Sequence, residues 1–330
     1  MSRAVVTGGC GFVGAHLAEA LLGRGDEVTI VDSVPPPAHL ARLAEHAAFV
    51  KADVRDPDAL ARAIRPGVDM VYHLASVVGV DLYLARPLDV IDINCGGTRN
   101  VLDLVARADT AVLVASTSEV FGKNPAVPWP EDGDRVLGPT SADRWTYSTS
   151  KAMAEHMTFA YARQRGLRAA IVRYFNVYGP RQRPAYVVSR SVHRALNGVP
   201  PVVYDGGAQT RCFTYVDDAV RGTLAAAGTA SEGAEGGAFN LGSTVETTVA
   251  EAVRTIAELT GHRAPPAPVD TRAALGTAYE DLVRRIPDTT KAAEVLGWEC
   301  RTSFREGLAS TIEWARANPW WLALPDSGAS

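Results

Sequence analysis

The run TGGCGFVG at residues 7–14 constrains the fold of this chain more than any other feature. A short apolar, β-branched run over residues 3–7 leads into it. Residues 12–24 leave it with Phe12, Val13, Leu17, Ala20 and Leu21 at helical spacing. Gly8, Gly11 and Gly14 permit a tight turn and let a pyrophosphate approach backbone N–H groups at a helix N-terminus. The next apolar run, EVTIVD, ends at Asp32. An acid there accepts hydrogen bonds from ribose hydroxyls and repels a 2′-phosphate, so the cofactor read is NAD rather than NADP. Asp53 ends a third run, where reaching an adenine edge and capping a loop are equally open readings.

Further strands are read at DMVYHLAS from Asp69, AVLVASTS from Ala111 and AAIVRYFN from Ala169, with helices at about 56–65, 88–107 and 145–165. Apolar runs alternating with helices imply a parallel sheet covered on both faces. Right-handed crossovers make it an α/β, Rossmann-type doubly wound sheet. Residues 1–178 form this domain, and segments near 210–245 complete its sheet. VPPVVYDGG at 199–207 and FNLGS at 239–243 read as further short strands that interleave with it. Residues 179–330 are mainly a smaller C-terminal lobe, with SEGAEGG at 231–237 a surface loop and APPAP at 264–268 a break. Trp320 and Trp321 are expected to pack on the body.

A net charge of −4 gives a nucleic-acid partner no electrostatic support. Any anionic ligand must be met by locally placed arginines. The four cysteines are far apart and lack metal-ligand spacing, so no metal is expected. The N-terminal residues enter a strand directly, without the charged start and apolar stretch of a secretion signal. No apolar run approaches the length of a membrane span. The expected setting is the cytoplasm, with no membrane partner.

Tyr147 and Lys151 are four apart in the helix at 145–165, so they share a face. An ammonium near a phenol favours the phenolate, which then accepts a proton from a sugar hydroxyl as hydride leaves. STSEVFG at 116–122 puts Ser116, Thr117, Ser118 and Glu119 at the C-terminal end of the fifth strand, where open α/β sheets bind ligands.

Together these residues resemble an extended short-chain dehydrogenase/reductase of the nucleotide-sugar epimerase/dehydratase family. The resemblance rests on TGGCGFVG, Asp32, HLAS at 73–76, Asn94 within INCGGTRN, STSEVFG, YSTSK, RYFNVYGPRQ at 173–182, QTRCFTYVDD at 209–218 and FNLGS. It implies tightly held NAD, touched also by Val54, Leu74, Ala75, Ser76, Asn94, Ser116, Tyr174 and Val177. It implies a C-terminal lobe that binds a nucleotide sugar, with a UDP-sugar favoured. Asn176, Arg181 and Arg211 would meet the diphosphate. It also implies a homodimer built on the helices at about 88–107 and 145–165.

Three chemistries in this family start with oxidation at C4: epimerisation, 4,6-dehydration and decarboxylation of a uronate. Family epimerases have a small residue where this chain has Glu119. Many dehydratases have Asp in place of Ser118. GDP-mannose dehydratases share a Thr-Ser-Glu run but use NADP, against which Asp32 argues. Decarboxylases of UDP-glucuronate have Arg at the place of Arg144, and a guanidinium offers a carboxylate paired donors. A surface cation beside Trp145 is the other reading of Arg144. GTAYEDLVRRIPD at 276–288 is similar to a decarboxylase run, which makes Arg285 either a residue of the reaction centre or a phosphate ligand. The expectation is decarboxylation of UDP-glucuronate to UDP-xylose or its 4-keto form. Thr117, Glu119, Tyr147, Lys151 and Arg285 are its catalytic residues, and Ser118, Arg144 and Asn176 contact substrate. The alternatives are a uronate 4-epimerase and a hexose 4,6-dehydratase.

Overall fold

β1 (Arg3–Thr7) is an interior strand of a seven-stranded sheet, with alternate side chains feeding two separate cores. Ala4 and Val6 belong to one core and Val5 to the other, as the two-residue period of a strand requires. The computed structural model describes residues 1–79, 84–231, 237–271, 273 and 282–326. With β2 (Glu27–Asp32), β3 (Ala48–Lys51), β4 (Met70–His73), β5 (Ala111–Thr117), β6 (Ala169–Tyr174) and β11 (Ala238–Leu241), the strand order is β11-β6-β5-β4-β1-β2-β3. Every neighbouring pair is parallel. β5 and β6 are buried on both faces, which explains why they read as continuous apolar runs.

Helix α1 (Phe12–Gly23) and helix α5 (Val216–Ser231) cover one face. Helix α2 (Thr98–Ala108) and helix α3 (Thr146–Arg165) cover the other. Helix α4 (Val187–Leu196) packs in the first core beside helix α6 (Val249–Thr260). Trp321 is buried and donates to the Gln182 carbonyl at 2.9 Å, while Trp320 stacks on His39 with centroids 4.0 Å apart.

Several expected elements differ in extent. The helix at 56–65 starts as read, with Asp56 capping Ala59 N–H at 3.0 Å and Pro57 in the first turn, but ends at Leu60. The segment at 88–107 has two α-helical parts, Pro87–Ile91 and α2, joined by a π-helical turn, Asp92–Gly97. That turn presents Asn94 to the site and lets Gly97 lie on Val54, where a Cβ would sit 2.4 Å from Val54 Cγ2. Of the segments near 210–245, only β11 joins the main sheet. β8 (Val202–Tyr204) pairs instead with β13 (Ala267–Val269). β9 (Thr210–Cys212) pairs with β12 (Glu246–Thr248), and β7 (Val177–Tyr178) with β10 (Thr214–Tyr215). The expected surface loop has residues 232–236 outside the described residues. Among the described residues, no helix is long and apolar enough to cross a membrane.

Candidate active site

The carboxyl edge of the sheet gathers the motif residues. Gly8 has φ +69°, and a Cβ there would sit 2.8 Å from Ala75 N. A Cβ on Gly14 would sit 2.2 Å from the Gly8 carbonyl oxygen. The turn therefore has room only for backbone. Gly11, the N-cap of α1, offers no side-chain cap, so the first N–H groups of the helix, from Phe12 and Val13 on, are left for a ligand. Asp32 accepts from Cys10 N–H at 3.0 Å and Val34 N–H at 3.3 Å, which fixes the acid at the rim of the glycine turn. Leu74 N–H donates to the Thr7 carbonyl at 3.1 Å, and Ala75 N–H to Thr7 Oγ1 at 3.3 Å. Asn94 Oδ1 receives Ser76 Oγ at 2.8 Å and Val77 N–H at 3.2 Å, and Asn94 Nδ2 donates to Ser150 Oγ at 3.1 Å. A backbone-only cradle, uncapped helix N–H groups and a fixed acid make a donor and acceptor set that fits a dinucleotide.

Three residues expected at the cofactor behave differently. Ser116 gives its hydroxyl to Glu155, inside the body of the domain. Tyr174 bonds Thr223 of α5 at 2.7 Å. Asp53 is held by Arg55 through Nε at 3.0 Å and Nη2 at 2.7 Å, so it is fixed in its loop with its carboxylate already paired. Val54 is buried beneath Gly97 and accepts from Asn100 Nδ2 at 3.0 Å. Val177 lies in β7, on the wall of the cavity described below.

Tyr147 sits in the first turn of α3, buried, with its hydroxyl on Thr117 and Ser76. Lys151, one turn further along α3, donates its Nζ to the Ala115 carbonyl at 2.8 Å. Burial, then the charges of Glu119 and Tyr186, push the Tyr147 phenol upward. Burial also pulls the Lys151 amine down, to about 8, against the opposing charges of Glu155 and Cys95.

Glu119 follows β5 in a tight turn, Ser118–Phe121, whose start is fixed by Glu119 N–H donating to Thr117 Oγ1 at 3.2 Å. Ser118 is buried in that turn. One Glu119 oxygen receives Arg144 Nη1 at 2.8 Å and the other receives Arg285 Nη1. Arg144 is 1% exposed and lies over the Trp145 ring at 5.0 Å, so it is no surface cation. Arg285 is carried by a segment pinned to Trp129. Trp129 N–H donates to the Ile286 carbonyl at 2.9 Å and Asp288 N–H to the Trp129 carbonyl at 2.9 Å. Burial pushes the Glu119 carboxyl upward, but the two guanidiniums outweigh it and hold it at about 2. Two cations and one anion leave a net positive cluster beside Tyr147. Residues 276–281 of the Arg285 run lie outside the described residues.

From Arg285 a cavity of about 280 Å³ runs to α4 and β8. Asn176, Arg183, Tyr186, Arg190, Arg211 and Arg285 face it. Arg211 is anchored on the Thr210 and Leu282 carbonyls at 2.7 and 2.8 Å. Arg181 is not there: its guanidinium pairs with Glu19 of α1 at 2.8 and 2.5 Å and meets His16 at 3.1 Å. Sequence reasoning missed Arg183, Tyr186 and Arg190. Their spacing, on one side of the first turns of α4 and the loop before it, was the available signal.

This edge of the sheet defines a dinucleotide-dependent enzyme with a cationic ligand cavity. The profile of the NAD dependent epimerase/dehydratase family matches residues 4–242. UDP-N-acetyl-alpha-D-glucosaminuronate decarboxylase of Bacillus cytotoxicus is 38% identical over 319 residues, covering 95% of this chain and 98% of that protein. UDP-glucuronic acid decarboxylase 1 of Xenopus tropicalis is 35% identical over 320 residues, covering 95% of this chain and 72% of that protein. The solved structure of UDP-glucuronic acid 4-epimerase from Bacillus cereus, in complex with UDP-glucuronic acid and NAD, matches with a TM-score of 0.83. It is 26% identical, and the match covers 96% of this chain and 99% of that one. The chain belongs to the NAD-dependent epimerase/dehydratase family, and its cofactor is NAD.

Two outcomes follow. Gly14→Ala forces a methyl into the Gly8 carbonyl, so it should abolish NAD binding in a calorimetric titration and cost about 1–3 kcal/mol of stability. Glu119 has a folded pKa below its unfolded value, so its pairing stabilises the fold above the ordinary carboxylate range. That gain is lost as pH falls towards about 2. Urea unfolding of wild type and Glu119→Ala should therefore converge at acid pH and differ by about 3–5 kcal/mol near neutrality.

Proposed function

We propose that the protein decarboxylates a UDP-linked uronate, UDP-glucuronate first among them, after oxidising it at C4. The observation that carries this reading is Glu119 held as a carboxylate between Arg144 and Arg285, in a cluster with net positive charge. A hexose 4,6-dehydratase needs a base to take the C5 proton. A carboxylate with each oxygen already paired to a guanidinium is a poor base for that task. Decarboxylation makes no such demand, because the electrons of the C5–C6 bond themselves form the enolate. The cluster instead suits a substrate that brings its own carboxylate.

Bound NAD supplies the hydride acceptor at C4 and the donor for any return step. As the phenolate, Tyr147 takes the C4 hydroxyl proton while the hydride departs, with Thr117 and Ser76 donating to its oxygen and aligning it. The resulting 4-keto uronate is a β-keto acid. Its C5–C6 bond breaks, carbon dioxide leaves, and the electron pair enters the enolate of the C4 ketone. Arg144 and Arg285 orient the carboxylate before the bond breaks, and water supplies the C5 proton that completes the pentose, its hydroxide taken up by carbon dioxide as bicarbonate. Reduction at C4 gives UDP-xylose; release before it gives the 4-keto pentose. Asn176, Arg183, Arg190 and Arg211 form the diphosphate end of the site.

A second reading has a specific basis. Retention of carbon dioxide with inversion at C4 needs the same carboxylate recognition, and a structural neighbour is a UDP-glucuronic acid 4-epimerase. The relative from Bacillus cytotoxicus bears the name of an N-acetylated uronate, so both uronates belong in the assay. A homodimer is part of the proposal: Leu88, Ile91 and Met153 are exposed on the adjoining Pro87–Ile91 and α3 helices. A cytoplasmic location accords with four unpaired thiols.

The test is mass analysis of the products formed from UDP-glucuronate and its 2-acetamido counterpart with NAD. Loss of one carbon dioxide per sugar is expected, and Arg144→Met should lower kcat/KM by about a hundredfold or more, the scale of a lost charge-assisted contact. UDP-galacturonate without carbon dioxide would establish the epimerase. Turnover of neutral UDP-hexoses that ignores Arg144→Met would refute carboxylate recognition.

A further inference from the structure

Residues 318–326 run back along α4 to the cavity wall. The helix Phe304–Ala317 is followed by a single helical turn, Pro319–Leu322, which seats Trp321 in the core. The Trp321 indole donates to the carbonyl of Gln182, a residue that lines the cavity, and the His193 ring meets the indole edge-on with centroids 5.3 Å apart. The chain then follows α4 towards its start. His193 Nε2 and Asn197 Nδ2 each lie 3.1 Å from the Leu322 carbonyl oxygen. One turn earlier on α4, Arg190 and Arg194 share the carboxylate of Asp326. Arg190 Nε donates to one oxygen at 2.6 Å, and Arg194 Nη1 donates to the other. Residues 190, 193, 194 and 197 are three or four apart, so one face of α4 carries the whole contact. Burial pushes the Asp326 carboxyl upward, but the hydrogen bonds and charges of the two arginines outweigh it and hold it below the usual carboxylate range.

We propose that Asp326 is a positioning residue for the nucleotide end of the cavity: it grips Arg190 by its Nε edge and so fixes the guanidinium on the cavity wall, ready for a nucleoside diphosphate. Arg190 and Tyr204 both line the cavity, and Arg190 Nη1 donates to the Tyr204 hydroxyl at 3.2 Å. Among the described residues Arg190 Nη2 has no hydrogen-bond partner, so this end of the fork is left for a ligand. Arg194 is not on the cavity wall, and its Nε is tied to the Pro200 carbonyl at 2.7 Å. The order of support is therefore Arg194 to Asp326 to Arg190. Two guanidiniums around one carboxylate leave the cluster net positive, as an anionic ligand requires. Without Asp326 the two arginines are like charges one turn apart on α4 and repel. Arg190 would then be free to leave the wall. Binding would have to order a long side chain that is at present ordered in advance. Arg211, across the same cavity, is anchored on backbone carbonyls at once local and fixed; Arg190 depends on a carboxylate 136 residues further on.

This inference rests on the cavity being the nucleotide end of the site, and not on the decarboxylation proposed above. The experiment is calorimetric titration of the NAD-loaded protein with UDP. Asp326→Asn keeps the side-chain size and the Trp321 anchor. It should weaken UDP binding by about tenfold, the scale of one lost hydrogen bond to a charged group, and leave NAD affinity unchanged. Asp326→Glu should recover part of the loss. Arg190→Met should also weaken UDP binding, and adding Asp326→Asn to it should cost nothing further, because both act through one guanidinium. In turnover, Asp326→Asn should raise KM for UDP-glucuronate and leave kcat nearly unchanged. Should Asp326→Asn fail to fold, Arg194→Met removes the other hold on the same carboxylate and should weaken UDP binding in the same direction. Undiminished UDP affinity in a folded variant at Asp326, or a loss that adds in full to that of Arg190→Met, would overturn the proposal and leave Asp326 a structural tether. A wild type that does not bind UDP would overturn it as well. UDP binding with the expected pattern, but no carbon dioxide from UDP-glucuronate, would refute the decarboxylase reading and leave the role of Asp326 standing.

Discussion

Glu119 joins three stretches that are remote in sequence: the turn after β5, the entry to α3 at Arg144, and the segment around Arg285. These three stretches meet at this carboxylate, and the cavity opens from Arg285 beside it. A buried pair of this kind adds little net stability over an apolar replacement, but removing one partner strands a charge. The cluster is therefore better explained by what it offers a ligand than by what it adds to folding. It offers a largely buried site of net positive charge next to a tyrosine suited to proton transfer.

The remaining geometry serves to bring the cofactor edge to that cluster. The glycine turn admits only backbone, so the helix N-terminus can stand close to a diphosphate. Asn94, on the π-helical turn, ties Ser76 to Ser150, one residue before Lys151. Because β1, β4 and β5 are parallel neighbours, their loops emerge at the same edge, and residues 8–14, 74–77 and 117–119 become one surface.

Much of this was legible because period and chirality act locally. The continuous apolar runs of β5 and β6 announce a sheet covered twice, and Gly8, Gly11, Gly14 and Asp32 announce the dinucleotide edge. Four-residue spacing places Tyr147 and Lys151 on one face. What the chain does not reveal locally is the choice among competing partners. Arg181 and Arg183 are two residues apart, yet one is drawn to Glu19 and the other faces the cavity. Ser116 and Thr117 are adjacent, yet strand alternation turns the first towards Glu155 and the second towards Tyr147. Four-residue spacing also does not show that the Lys151 amine donates to the Ala115 carbonyl of β5. The π-helical turn at Asp92–Gly97 was likewise hidden, since an extra residue in a helix leaves the apolar pattern nearly intact.

The proposed reaction turns on one bond, the one between C5 and C6 of the sugar. Its most direct test is to supply UDP-glucuronate isotopically labelled at the C6 carboxylate and follow the label by NMR in the presence of NAD. The label should pass entirely into carbon dioxide and bicarbonate, in step with formation of a UDP-pentose. Label retained in a UDP-hexuronate while C4 inverts would contradict decarboxylation.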